Sequence, residues 1–178
     1  MRRAFLLLGI VLLLTAAGLA VCQLHRDRVT AQRTQQLLQQ AKPIAAAPLQ
    51  AQPQEETPAL AILELPSLDL ALPVQAHCSA ENLKLSPCRY AGSAATKDLV
   101  VAGHNYAAHF GTLHRLQVGD AVGFTDLDGA AYRYRVTAVE VLHATAVGEM
   151  TQSGADLTLF SCTAGGKNRI AVRCEGTE

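Results

Sequence analysis

The C-terminal part of this 178-residue chain is predicted to form an all-β domain, a closed or nearly closed barrel of seven to eight strands with one or two short helices. Three observations predict it. Short apolar runs are separated by turn residues, one longer stretch alternates apolar and polar side chains, and neither a heptad pattern nor an internal repeat is present. Many short strands are typical of barrels, since closure leaves no strand edge exposed. The domain is expected to cover residues 59–178, enough for one modest core.

The strand predictions follow the chain in order. Apolar runs lie at Leu60 to Leu65, Leu68 to Leu72, Leu99 to Gly103 and Ala121 to Thr125. From Tyr132 to Ala138 every second side chain is aromatic or aliphatic, and this period of two predicts a half-buried strand.

Two irregularities are predicted around that last strand. The apolar phase moves to Val139 and Val141, so a bulge or bend is expected near Ala138 to Glu140. The sequence Asp126 to Gly129 precedes the strand and is typical of a hairpin connection, with glycine where the backbone needs a positive φ.

Short helices are predicted at two places, Ser79 to Leu85 and His109 to Leu116. In the second, Phe110, Leu113 and Leu116 fall on one face of a helix. Helical content is therefore expected to be low.

An apolar segment stands at the N-terminus. Residues Ala4 to Val21 carry no charge and would span roughly 27 Å as a helix, about the minimum for a bilayer core. The segment 1–22 is interpreted as an uncleaved signal anchor crossing the membrane once. A signal peptide cut after Ala20, a lipid-modified Cys22 and a buried core helix are the alternatives.

The following segment, residues 23–58, first continues as a polar stretch rich in Gln and Arg and then becomes rich in Pro, Ala and Gln. The prolines exclude a long helix, and there is little apolar surface to bury. It is interpreted as a spacer that holds an exported domain, residues 59–178, away from the membrane.

Charge and cysteine content narrow the function. The net charge is zero and the isoelectric point about 7, which argues against nucleic acid or an electrostatic membrane patch as a partner. Without a CxxC pair or an acidic cluster, no zinc or calcium site is predicted. Five cysteines leave at least one unpaired. Cys78 and Cys88 either form a disulfide or are two small buried residues.

Three residues with complementary chemistry follow the predicted strands. Cys162 ends the apolar run Leu157 to Cys162, Arg169 follows a turn of six residues, and His104 follows the run Leu99 to Gly103. If Cys162 and Arg169 flank a turn between antiparallel strands, they lie side by side. A thiolate nucleophile, an imidazole for proton transfer and a guanidinium for an oxyanion together form a complete acyl-transfer set.

Each of these residues also has a structural interpretation. A cysteine in an apolar strand is commonly an inert core residue, and a lone histidine is commonly structural. Among the other histidines, all interpreted as surface or helix-face residues, His109 is the reserve candidate. Arg135 and Arg173 are predicted to be solvated strand positions.

The motifs around these residues resemble sortases, which are cell-wall transpeptidases. In chain order they are Leu65-Pro66-Ser67-Leu68, Leu72-Pro73-Val74, Val101 to Asn105, Leu113 to Leu116 with Gly119-Asp120, Thr158 to Cys162, and Arg169. The resemblance implies a sortase barrel with His104, Cys162 and Arg169 as catalytic residues and no cofactor. Ser161 and Asn105 are the candidate substrate-binding residues.

The resemblance also implies a substrate class. A sortase cleaves a sorting signal of the Leu-Pro-x-Thr-Gly type on a surface protein and passes the acyl group to an amine, here of a peptidoglycan cross-bridge or a pilin lysine. Ser161 stands where the family usually has threonine. His104-Asn105-Tyr106 is similar to class B, whereas the Cys162 to Arg169 connection is too short for the helix-bearing loop of that class. The subclass stays open.

Two other functions are the alternatives. An L,D-transpeptidase-like cell-wall enzyme is also exported and β-rich, but that family places His-Gly directly before its cysteine, where this chain has Phe160-Ser161. A noncatalytic exported β-domain would use its cysteines structurally.

The proposed hairpin makes a geometric prediction about the remaining thiol. If Cys162 pairs with Arg169, then Cys174 lies opposite Leu157, roughly 17 Å from Cys162 at about 3.4 Å per residue. A disulfide needs Cα atoms within about 7 Å. Cys162 is therefore expected to remain a free thiol.

Overall fold

Eight strands in the described part of the chain close into a barrel. The computed structural model describes residues 59–177 and the single residue Gln32. The strands are β1 Ala59–Leu65, β2 Leu70–Gln75, β3 Cys88–Ala91, β4 Leu99–Gly103, β5 Ala121–Asp126, β6 Ala131–His143, β7 Leu157–Cys162 and β8 Asn168–Gly176. Around the barrel the order is β1-β2-β3-β4-β7-β8-β6-β5. The predicted closed barrel is confirmed.

The predicted membrane anchor, residues 4–21, and the predicted spacer, residues 23–58, lie outside the described range 59–177. Within the described residues, no helix has both the length and the apolar content needed to cross a bilayer.

Short helices connect the strands. Helix α1, Ala80–Leu85, begins where predicted, because the Ser79 side chain accepts a hydrogen bond from the Asn82 amide at 3.0 Å and caps the first turn. Helix α2, Val147–Thr151, lies between β6 and β7 and was not predicted.

The second predicted helix, His109 to Leu116, is only a 3-10 turn, Leu113–Arg115. The amides of His109 and Gly111 both donate to the Tyr106 carbonyl at 2.9 Å, and the Phe110 amide donates to the His104 carbonyl at 3.1 Å. These bonds fold the segment into a tight loop. Its apolar face was predicted correctly, since Phe110 and Leu113 are buried.

The core has an inner and an outer part. Side chains from all strands except β3 fill the barrel interior, among them Leu63, Val74, Val101, Leu159 and Val172. A smaller cluster lies on the outer surface of β3, β4, β7 and β8 and consists of Cys88, Val100, Ala102, Met150, Phe160 and Ala171, with Leu83 and Leu142 packed against it. Helix α1 contributes Leu83 and helix α2 contributes Met150. Strands β4 and β7 are thus covered on both faces, which explains their uninterrupted apolar sequences.

The long strand β6 has the two irregular features that its sequence indicated. Its register against β8 shifts between Val136 and Ala138, slightly earlier than the predicted Ala138 to Glu140. Thr137 is the extra residue, and its hydroxyl donates to the Arg173 carbonyl at 3.2 Å. The hairpin before β6 is confirmed, with Gly129 at φ 86°.

A disulfide joins Cys78 to Cys88 and resolves the choice between the two interpretations of this pair. The bridge closes a loop over a sequence separation of 10 residues, and helix α1 lies within that loop. Of the described cysteines, Cys162 and Cys174 are free.

Arg173 is buried, and the prediction that it is solvated was wrong, whereas Arg135 is exposed as predicted. The Arg173 guanidinium donates to the carbonyls of Glu149 at 2.8 Å and Met150 at 3.4 Å, and to the Thr158 hydroxyl at 3.1 Å. It also pairs with Glu140 at 3.4 Å. A single charged side chain therefore fixes the C-terminal half of α2 onto the sheet.

The carbonyl contacts of Arg173, rather than its ion pair, are expected to carry its contribution to stability. Replacing Arg173→Met keeps the aliphatic stem but leaves buried carbonyls without donors, so the free energy of unfolding should fall by about 3 kcal/mol. Glu140 is 42% exposed, and Glu140→Ala should cost less than about 1 kcal/mol. Urea unfolding followed by circular dichroism measures both. Equal losses in the two variants would contradict this assignment.

Candidate active site

The strand register brings the three predicted catalytic positions into one row. Strands β4 and β7 are parallel, with Gly103 beside Ser161, so the next step of the register places His104 beside Cys162. Strands β7 and β8 are antiparallel, with Cys162 opposite Arg169 and Leu157 opposite Cys174. The predicted hairpin register is confirmed. His104 and Arg169 thus flank Cys162 on the two neighbouring strands, each about 5 Å away along the backbone hydrogen-bonding direction.

The alternation of β7 decides which side chains share a face. Phe160 lies in the outer cluster and Leu159 in the barrel interior, so Cys162 faces outward and Ser161 faces inward. Ser161 is 2% exposed, and its hydroxyl has no hydrogen-bond partner. The structure therefore brings Cys162 to the surface without Ser161. Asn105 is exposed next to His104.

The turn after β7 returns the chain so that Arg169 faces Cys162. Gly165 and Gly166 have φ of 84° and 73°, a conformation that glycine adopts without steric cost. The Thr163 amide donates to the Asn168 carbonyl at 3.0 Å and closes the turn. The Arg169 guanidinium donates through Nη1 to the carbonyls of Gly166 at 2.9 Å and Asn168 at 3.0 Å. The turn itself thus orients the guanidinium.

His104 is partly buried at the start of the loop that follows β4. Loss of water around the ring lowers the pKa of His104, and the positive charge of Lys84 on α1 lowers it further. Lys84 also pairs with Glu81 at 3.1 Å. The neutral imidazole, which accepts a proton, is therefore favoured at neutral pH.

A close approach between Gly103 and Phe110 shapes this loop. A Cβ on Gly103 would lie 2.4 Å from Cδ2 of Phe110, whose ring is buried. Only glycine leaves room for that ring at the end of β4. Packing against Phe110 therefore requires glycine at position 103, directly before His104.

His109, the reserve candidate, is fully buried, so the prediction that it is a surface or helix-face residue was wrong. Burial lowers the pKa of His109 to about 4, even though a hydrogen bond with the backbone of Leu85 opposes that shift. His109 links the loop to α1 and, being fully buried, is not part of the exposed row.

Sequence reasoning missed three residues at the site: Lys84, Leu85 and Tyr106. Lys84 and Leu85 come from a helix that precedes His104 by some twenty residues, and no local pattern relates them to it. The ring of Tyr106 lies against the ring of His104, with centroids 4.7 Å apart. In the sequence, Tyr106 is only the third residue of His104-Asn105-Tyr106.

In residues 59–177, no group of three or more His, Cys, Asp and Glu side chains is placed to hold a metal ion.

Comparison with known proteins identifies the family. A family model described as the sortase domain matches residues 63–177. The chain belongs to the sortase family. Members of this family are cysteine transpeptidases. No curated protein matches the chain.

Solved structures of sortases have the same fold. Sortase C1 of GBS Pilus Island 1 is 22% identical with a TM-score of 0.60, over 85% of this chain and 84% of that one. Sortase D5 from Clostridium perfringens is 15% identical with a TM-score of 0.61, over 86% and 99%. Sortase E1 from Streptomyces coelicolor, solved with a tripeptide in its active site, is 21% identical with a TM-score of 0.58, over 67% and 88%. At these identities the similarity concerns the fold alone.

The packing at Gly103 makes a prediction about the site. Gly103→Ala forces the Phe110 ring to move, so the free energy of unfolding should fall by about 1 to 3 kcal/mol and the placement of His104 should change. Gly148→Ala is the matched control, because a Cβ at that helical position meets nothing within 4 Å. Thermal unfolding and peptide cleavage measure both effects. A Gly103→Ala variant as stable as Gly148→Ala would contradict the packing argument.

Proposed function

We propose that this chain is an active cysteine transpeptidase in which Cys162 is the nucleophile, His104 transfers protons and Arg169 stabilises the oxyanion. The row of these three residues across β4, β7 and β8 is the observation that carries the proposal. A thiol that faces outward between an imidazole and a guanidinium has the neighbours that acyl transfer requires. A barrel without catalytic function would not need a thiol, an imidazole and a guanidinium side by side at one end of its strands.

The acylation step follows from these positions. The Cys162 sulfur, having given its proton to His104, attacks the carbonyl carbon of the scissile amide, and the carbonyl oxygen becomes negatively charged. When the intermediate collapses, the carbon–nitrogen bond breaks and the His104 imidazolium protonates the departing amine. The product is a thioester on Cys162. In the second step an acceptor amine attacks this thioester, His104 takes its proton, and the thiolate leaves.

Arg169 is positioned to stabilise the intermediate. Both of its hydrogen bonds within the turn come from Nη1. The donors on Nε and Nη2 are the groups that would meet an acyl oxygen attached to Cys162. A planar guanidinium held by its own turn gives such an oxyanion a preorganised donor.

The substrate proposed is a sorting signal of the Leu-Pro-x-Thr-Gly type. The sortase family acts on surface proteins that carry sorting signals and on pilins. Membership of that family supports the signal class, and either a peptidoglycan amine or a pilin lysine fits the second step.

The proposed chemistry can be tested with the full chain and a small library of sorting peptides. With hydroxylamine as the acceptor, mass spectrometry should detect a peptide hydroxamate, and without an acceptor it should detect an acyl group on Cys162. Cys162→Ala should abolish both, and His104→Ala should be nearly as severe, since it serves both proton transfers. Cys174→Ala is the matched control. Burial raises the pKa of the Cys174 thiol to about 12, so it is not a competing nucleophile.

Arg169 variants test the oxyanion role in the same assay. Arg169→Ala should lower kcat by about 10²- to 10³-fold, the cost of one lost oxyanion donor. Arg169→Lys should not restore full activity, because an ammonium lacks the planar fork. Wild-type turnover in Arg169→Ala would remove this residue from the site. Turnover that survives Cys162→Ala would overturn the proposed function and favour a noncatalytic role for the thiol.

We also propose a location: residues 1–22 anchor the chain in the cell membrane, residues 23–58 form a spacer, and the catalytic domain, residues 59–178, lies outside the cell. The uncharged run of residues 4–21 supports it. Membrane fractions should retain the protein after a high-salt wash, with its N-terminal residues intact by mass spectrometry. A mature chain that begins at Val21 or Cys22 and is released into the medium would exclude the anchor.

A further inference from the structure

We propose that Tyr106 is a positioning residue that holds the His104 ring in its reactive orientation through ring stacking. The proposal rests on the proposed function of His104 and names the group that orients it. The two rings have centroids 4.7 Å apart and planes 30° apart. At that distance the interaction between the two rings stabilises the pair in addition to the burial of their apolar surface.

The proposal names the group that orients the His104 ring. A catalytic imidazole that transfers protons twice is usually oriented by a third group, commonly a carboxylate. Among residues 59–177, no carboxylate forms an ion pair or a hydrogen bond with the His104 ring. The ring contact of His104 within these residues is with Tyr106, and the proposal assigns the orienting role to it.

The backbone of Tyr106 is itself held firmly. Its carbonyl accepts hydrogen bonds from the amides of His109 and Gly111, each at 2.9 Å. A Cβ on Gly111 would lie 2.8 Å from that oxygen, so glycine is required for this double contact. The Tyr106 ring therefore projects from a fixed point.

The ring of Tyr106 also lies near the ring of His109, with centroids 5.5 Å apart. His109 is fully buried and is hydrogen-bonded with the backbone of Leu85, the last residue of α1. Helix α1 is in turn held by the Cys78–Cys88 disulfide and by Leu83 in the outer cluster. The series of rings from His104 through Tyr106 to His109 thus connects the candidate catalytic ring to α1, which the disulfide joins to β3.

The test uses the full chain with two readouts, peptide turnover and the His104 ring signals in NMR. Tyr106→Leu should lower kcat at least about tenfold with less than a twofold change in KM, since the ring is displaced but substrate contacts are not. Tyr106→Phe keeps the ring and should stay within about twofold of the wild type. If Tyr106→Leu does not fold, Tyr106→Met, whose unbranched side chain adapts to an irregular gap, takes its place.

The NMR readout does not depend on turnover. In Tyr106→Leu the His104 ring protons should lose the ring-current shift from Tyr106, and the midpoint of their titration should rise because water reaches the imidazole. The titratable and charged groups around His104 are Lys84 from α1, His109 from its own loop and Cys162 from β7, with Arg169 on β8 beyond Cys162. All are retained in this variant, so the change reports on Tyr106.

Tyr132→Leu is the matched control. Tyr132 is a partly buried tyrosine of β6, and its ring centroid lies 6.3 Å from that of Phe124. It lies roughly 30 Å along β6 from Leu142, the residue that pairs with Arg169. It should lose stability but keep the kcat and the His104 titration of the wild type.

The possible results separate the two proposals. Unchanged kcat and unchanged His104 signals in Tyr106→Leu would overturn the positioning role while leaving the transpeptidase intact, and so would a Tyr106→Phe variant as slow as Tyr106→Leu. If the wild type cleaves no peptide, the proposed function fails, and the NMR readout alone decides whether Tyr106 fixes the ring.

Discussion

The pairing of β7 on both of its edges is the constraint from which the rest of the site follows. One edge is parallel to β4 and the other antiparallel to β8, and both registers are set by continuous backbone hydrogen bonds over the length of β7. A slip by one residue on either edge would turn the neighbouring side chain to the opposite face. Because both faces of β7 are buried, such a slip would exchange side chains between the barrel interior and the outer cluster, and on β8 it would place the charged Arg173 where Val172 packs. The core therefore enforces the same register that aligns His104, Cys162 and Arg169.

Burial also determines where reactive groups can be exposed. Strands β4 and β7 are enclosed by the barrel interior on one side and by the outer cluster under α1 and α2 on the other. Polar side chains become accessible only where these strands end. Arg173, on the same face of β8 as Arg169, lies under α2 and serves packing, whereas Arg169 lies at the end of the strand. Two arginines four residues apart thus have different roles because only one is covered.

Much of this arrangement was predictable from the sequence. Short-range information was sufficient for the barrel, the hairpin at Gly129, the position of α1 and the β7–β8 turn, because strand alternation and turn residues act over a few positions. The pairing of Cys162 with Arg169 also followed, since a six-residue turn between apolar strands leaves few registers. Predictions failed where a distant element decides burial. Arg173 and His109 are polar residues, and the backbone groups that pair with them when they are buried, Glu149 of α2 and Leu85 of α1, come from distant parts of the chain.

The disulfide of the α1 loop has a consequence for how the site is assembled. The bridge stabilises α1, α1 supplies the backbone group that binds His109, and His109 supports the loop that begins at His104. The disulfide, the end of α1, His109, Tyr106 and His104 thus form one chain of contacts. Reduction of the Cys78–Cys88 bridge is therefore expected to loosen the support of the loop that carries the candidate catalytic base, although neither sulfur lies in the row of His104, Cys162 and Arg169.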